Sequence, residues 1–114
     1  LRFMGLEGSM WYNGGLCQYT EKQMKGHIRR LRPLLWWRGG VDIVVTHAPP
    51  LGIHDGKDLC HQGFACFRWL IRKYRPRYFL HGHIHVQFQN DAERISLVDG
   101  TRVINTYGYH ILDL

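Results

Sequence analysis

The chain has 114 residues, 45% of them hydrophobic and 21% charged, which fits one small folded domain and excludes an intrinsically disordered chain. Fifteen Lys and Arg against nine Asp and Glu give a net charge of +6, and no apolar run reaches the roughly 20 residues of a membrane span. A surplus of cations suits nucleic acid or another polyanion. Here it is spread through KGHIRRLRP and FRWLIRKYRPR, as on solvated helix surfaces and helix ends, so nucleic acid is the lesser expectation.

In chain order, LRFMGLEGS reads as a short strand entering a Gly-rich loop that continues through MWYNGG. The segment YTEKQMKGHIRRLRPLLWW reads as a helix, with Thr20 as N-cap and Gln23 completing a capping box. Pro33 is expected to kink this helix or end its regular part, and Gly39 and Gly40 close it. VDIVVTH is the clearest strand, a β-branched run of the kind covered on both faces. Two adjacent prolines and three glycines make APPLGIHDGKDLCHQG a loop. HQGFACFRWLIRKY is a second helix, with Phe64, Phe67, Leu70, Ile71 and Tyr74 on one stripe, and RYFLHG is another strand. RISLV and TRVIN flank Asp99-Gly100 as a tight hairpin, and YHILDL is expected to supply a last strand. The order strand–helix–strand–helix–strand with an antiparallel ending implies an α/β layered fold.

Cys17, Cys60 and Cys66 form no CxxC, and LRFMGLEGSM shows no leader pattern, so a reducing, cytoplasmic setting is expected. Cys66 reads as a small core residue. Cys60 beside His61 suggests a nucleophile–base pair, but sequence neighbours rarely point at each other, and the pair is set aside.

Six of the eight histidines lie between positions 47 and 85. His47 ends one strand, and His83 and His85 follow another. Ligands of open α/β sheets bind at the carboxyl ends of strands, so two strands deliver imidazoles to one edge. Alternate residues of extended chain share a side, which lets His83 and His85 face a common site. Imidazole suits zinc, iron and related ions. His54 lies in the loop, where it could approach substrate but reads as solvated, and His61 lies at a helix start; His27 and His110 read as surface residues.

VVTHAPP followed by FLHGHIH resembles the two C-terminal metal motifs of calcineurin-like metallophosphoesterases, and the likeness spans most of residues 41–114. It implies a four-layer α/β/β/α sandwich that hydrolyses phosphate esters with two divalent metal ions (manganese, iron or zinc). By motif position, His47 and His83 would bind the second metal and His85 the first, with His81 a supporting residue. No catalytic or substrate-binding residue is assigned. The family's Asp-x-His, Gly-Asp-x-x-Asp and Gly-Asn-His motifs are absent; Asp55 and Asp58 lie on the wrong element to replace a bridging carboxylate.

The expectation is therefore that residues 1–114 form the C-terminal part of a single metallophosphoesterase domain whose N-terminal half is absent. Activity would belong to a longer chain, this segment alone being inactive and exposing apolar sheet faces. The alternative is a non-enzymatic basic binding module or an inactive remnant lacking a complete metal site.

Overall fold

A computed structural model describes residues 1–114. Five strands form the main sheet in the order β1-β4-β5-β7-β6: β1 (Phe3–Leu6), β4 (Ile43–Thr46), β5 (Tyr78–His81), β7 (Thr101–Asn105) and β6 (Ile95–Val98). The first four run parallel and β6 closes the edge antiparallel to β7. Two short strands, β2 (Ser9–Met10) and β3 (Gln18–Tyr19), pair in parallel at either end of the glycine-rich segment. The fold is α/β with a predominantly parallel sheet.

The helices are α1 (Glu21–Arg38) and α2 (Ala65–Tyr74). Thr20 and Gln23 form the reciprocal capping box, and Gly39 ends α1 in the left-handed region at φ 77°. Pro33 does not end the helix. Proline deletes a single intrahelical donor, and two residues beyond it, Leu35 is buried in the core. The second helix starts later than its pattern suggests, because Leu59–His61 forms a separate 3-10 turn.

Register fixes what each face of the sheet carries. Met4, Val44, Phe79 and Val103 lie side by side on one face. They pack with Met24 and Ile28 of α1 and with Phe67, Leu70 and Ile71 of α2 in a single core. Full burial of an aromatic such as Phe67 stabilises the fold by roughly 1.5–3 kcal/mol. The opposite face has a much smaller cluster, Ile43, Tyr78 and Ile104, with Leu80 and Leu112 against it. Val45 on that face stays 44% exposed, so β4 is covered fully on one side only. The segment YHILDL forms no strand; Leu112 packs on this second face instead.

Asp99 and Gly100 both take positive φ, 49° and 85°, as a two-residue hairpin of the primed type requires. At the other end of the sheet, the Arg2 side chain and backbone N–H both bond the Asp42 carboxylate, tying β1 to the start of β4. These bonds hold the Asp42 carboxyl well below the usual carboxylate range.

Candidate metal centre

The parallel strands β1, β4, β5 and β7 bring their carboxyl ends to one edge, where His47 follows β4 and Gly82–His83 follows β5. The Gly82 N–H bonds His47 O at 3.0 Å, fixing the two strand ends together. Ile84 N–H then bonds Gly82 O at 2.7 Å across His83, whose φ is +67°. An i→i+2 bond around a residue of positive φ is the rarer, strained kind of tight turn. Such conformations cost about 1–3 kcal/mol in a non-glycine residue and persist where surrounding bonds over-determine them. Asn105 Nδ2 supplies one, donating to Ile84 O at 3.0 Å.

This turn aims the His83 ring at His47. His47 Nε2 lies 2.9 Å from His83 Nδ1, with ring centroids 4.5 Å apart. On its far side, His83 Nε2 donates to Cys60 O at 2.7 Å. A neutral imidazole has one donor and one acceptor nitrogen. His83 Nδ1 therefore carries the lone pair and accepts from His47 Nε2. Partial burial of its ring lowers the His47 pKa, and His83 and His85 lower it further, which favours the neutral ring that a metal ion requires. Two nitrogen ligands on zinc sit about 3.3 Å apart, given bonds of roughly 2.0–2.1 Å and tetrahedral angles. The observed pair needs to open by only about 0.4 Å on that geometry, which is compatible with two of the three or four ligands such an ion requires.

His85 is placed differently. The turn at His83 interrupts the extended alternation, and His85 stacks on Tyr107 at 4.5 Å between ring centroids, facing solvent. It does not join the His47–His83 contact, although its charge bears on His47.

Three other histidines depart from, or add to, the sequence reading. His81 is buried and continues a chain of hydrogen bonds: His81 Nδ1 donates to Gly82 O at 3.0 Å, leaving Nε2 to accept from His54 Nδ1 at 2.9 Å. His54 Nε2 then accepts from the Ser96 hydroxyl at 2.7 Å. Burial pushes the His81 pKa down to about 4 and lowers that of His54, so both rings are neutral at pH 7. His54 is thus a structural link between the long loop and the hairpin, not a solvated loop residue. His61 is not merely solvated either: it bonds Asp58 at 2.6 Å and stacks on His83 with centroids 5.0 Å apart. The 3-10 turn also brings the neighbours Cys60 and His61 together, Sγ lying 3.6 Å from Nδ1. Local spacing gave no signal for the contacts of His54 with His81 and Ser96 or of His61 with His83, because they depend on where the loop folds back, whereas the Cys60–His61 contact, set aside on the sequence, is present. The two loop carboxylates are engaged, Asp55 accepting from Gly63 N–H and Asp58 holding His61.

Comparison with known proteins bears on this edge directly. The sequence pattern of the calcineurin-like phosphoesterases matches residues 5–87, which include the end of β1, all of β4 and β5, and every histidine of the cluster. No curated protein and no solved structure matches the chain.

Proposed function

Because the chain belongs to the calcineurin-like phosphoesterase family, we propose that its histidine edge serves metal-dependent hydrolysis of phosphate esters. His47 and His83 hold one divalent ion and His85 contributes to a second, manganese, iron and zinc all suiting imidazole. Bound divalent ions lower the pKa of water and neutralise charge developing on a phosphoryl group. The chain's own part is to orient the ligands. Cys60 O fixes the His83 tautomer so that Nδ1 is the free donor, the strained turn points that nitrogen at His47, and Gly82 N–H keeps the two strand ends in register.

Three imidazoles do not complete a two-metal shell, and the carboxylates of this loop are engaged elsewhere. On this reading the remaining acidic ligands come from polypeptide outside these 114 residues, which form the C-terminal part of the domain. The observation that carries the proposal is the His47 Nε2–His83 Nδ1 approach of 2.9 Å between the ends of adjacent parallel strands.

The test is hydrolysis of p-nitrophenyl phosphate and bis(p-nitrophenyl) phosphate by the protein in its full native length. Activity is expected to vanish on chelation and to return with manganese or zinc. His83→Ala should lower kcat/KM by about a thousandfold or more, the several kcal/mol that metal stabilisation supplies. Near-normal turnover in His83→Ala would show that the ligand is misassigned.

A further inference from the structure

The loop that supplies Cys60 O carries a second set of donors that the His47–His83 pair does not use. Cys60 Sγ lies 3.6 Å from His61 Nδ1 and 3.9 Å from Nε2. Cys60, His61 and His83 each present a ligand atom within 4.8 Å of the others. Sulfur and nitrogen ligands on tetrahedral zinc are about 3.6 Å apart, from bonds of roughly 2.3 and 2.0–2.1 Å. His61 Nε2 stands 3.9 Å from the thiol, slightly beyond that spacing, and closure of the loop brings in His83.

His61 is also held as a ligand would be. Its Nδ1 bonds Asp58 Oδ2 at 2.6 Å, the carboxylate support that fixes tautomer and ring direction in metal-bound histidines and leaves Nε2 as the donor. The loop around it is tight. Gly56 N–H bonds His61 O and His61 N–H bonds Asp58 O. A Cβ at Gly56 would fall 2.8 Å from His61 Cβ, so glycine is what lets the loop close beneath the ring.

We propose that Cys60, His61 and His83 form a thiolate–imidazole site for a soft divalent ion of the zinc class, with Asp58 positioning His61. The site shares His83 with the His47 pair: Nδ1 faces His47, and Nε2 faces the Cys60 loop. It rests on the reading of His83 as a metal ligand, though not on hydrolysis. A thiolate among the donors favours zinc over manganese or magnesium. Binding displaces the Cys60 thiol proton to solvent; His83 Nε2 leaves its carbonyl partner and its proton moves to Nδ1, so His83 serves either this site or the His47 pair, one ion at a time.

The test titrates cobalt(II), as a coloured stand-in for zinc, into the reduced 114-residue chain. A near-ultraviolet sulfur-to-cobalt charge-transfer band is expected. It should disappear in Cys60→Ser and His83→Ala, each checked for retained fold by circular dichroism, and should survive in Cys17→Ser and His47→Ala. Asp58→Asn should weaken zinc binding roughly 10- to 100-fold, as loss of an outer-shell partner does. Absence of the band in the wild-type chain, or its survival in Cys60→Ser, would overturn the proposal. The band with no phosphoesterase activity in the full-length protein would leave this site standing and sink the hydrolytic reading. Activity without the band would do the reverse.

Discussion

At the scale of single residues, two kinds of histidine occupy the same strand edge. His47 and His83 present nitrogens toward each other at the surface, whereas His81 is buried and fully engaged by His54 and Gly82. The sequence HGHIH does not by itself separate them, because three rings at alternate positions look equivalent until the turn at His83 is known. His81 was legible as a supporting residue only through the family resemblance. The role of His54 was not legible, since its partners are 27 and 42 residues away. A double-mutant cycle separates this link from simple packing. His54→Ala and His81→Ala should each destabilise the fold, His81→Ala by roughly 2–4 kcal/mol because it also leaves a cavity. Their coupling energy, read from chemical denaturation, should be about 0.5–1.5 kcal/mol, one buried hydrogen bond. Strict additivity would mean that the 2.9 Å contact contributes nothing.

Among elements, the long loop and α2 show what local pattern misses. The Thr20–Gln23 box was readable because capping needs residues only three apart, and the structure contains both of its hydrogen bonds. Helix α2 has no such signal: its N-cap, Phe64, gives no side-chain bond. Instead the Glu21 carboxylate, in the first turn of α1, accepts from Ala65 N–H at 2.7 Å and Cys66 N–H at 3.0 Å. An anion at a helix N-terminus satisfies orphan donors and meets the positive end of the dipole. Glu21 therefore caps one helix from the start of another, and its spacing of 44 residues hid it from sequence reading. Glu21→Ala should lower stability by about 1–2 kcal/mol, near the upper range for a lost cap, and speed hydrogen exchange at Ala65 and Cys66. Unchanged exchange at those amides would contradict the assignment.

For the whole molecule, the order of strands and helices was enough to specify an α/β fold, since hydrophobic period and turn residues mark each element. The asymmetry between the two faces of the sheet needed register. Phe3, Val45 and Leu97 share the face opposite the helices and are 63%, 44% and 72% exposed, with only a small cluster and Leu112 between them. Exposed apolar side chains on a sheet face favour association. The isolated 114-residue chain is expected to self-associate as its concentration rises, and Leu97→Lys should shift it toward monomer in sedimentation velocity. A monomer at every concentration, with a sharp cooperative melt, would show that this face needs no cover.

The meeting of His47 and His83 carries the functional account, and one measurement reaches it directly: the imidazole nitrogen shifts of the labelled Cys60→Ser chain, which lacks the thiolate of the second site, followed by long-range proton–nitrogen correlation as zinc is added. Before metal, His83 should show Nε2 protonated and Nδ1 bare. On zinc addition, His47 Nε2 and His83 Nδ1 should move together to metal-bound values while His27 and His110 stay in place. If His27 and His110 respond and the His47–His83 pair does not, the pair is an ordinary hydrogen bond between surface rings and the metal centre is not there.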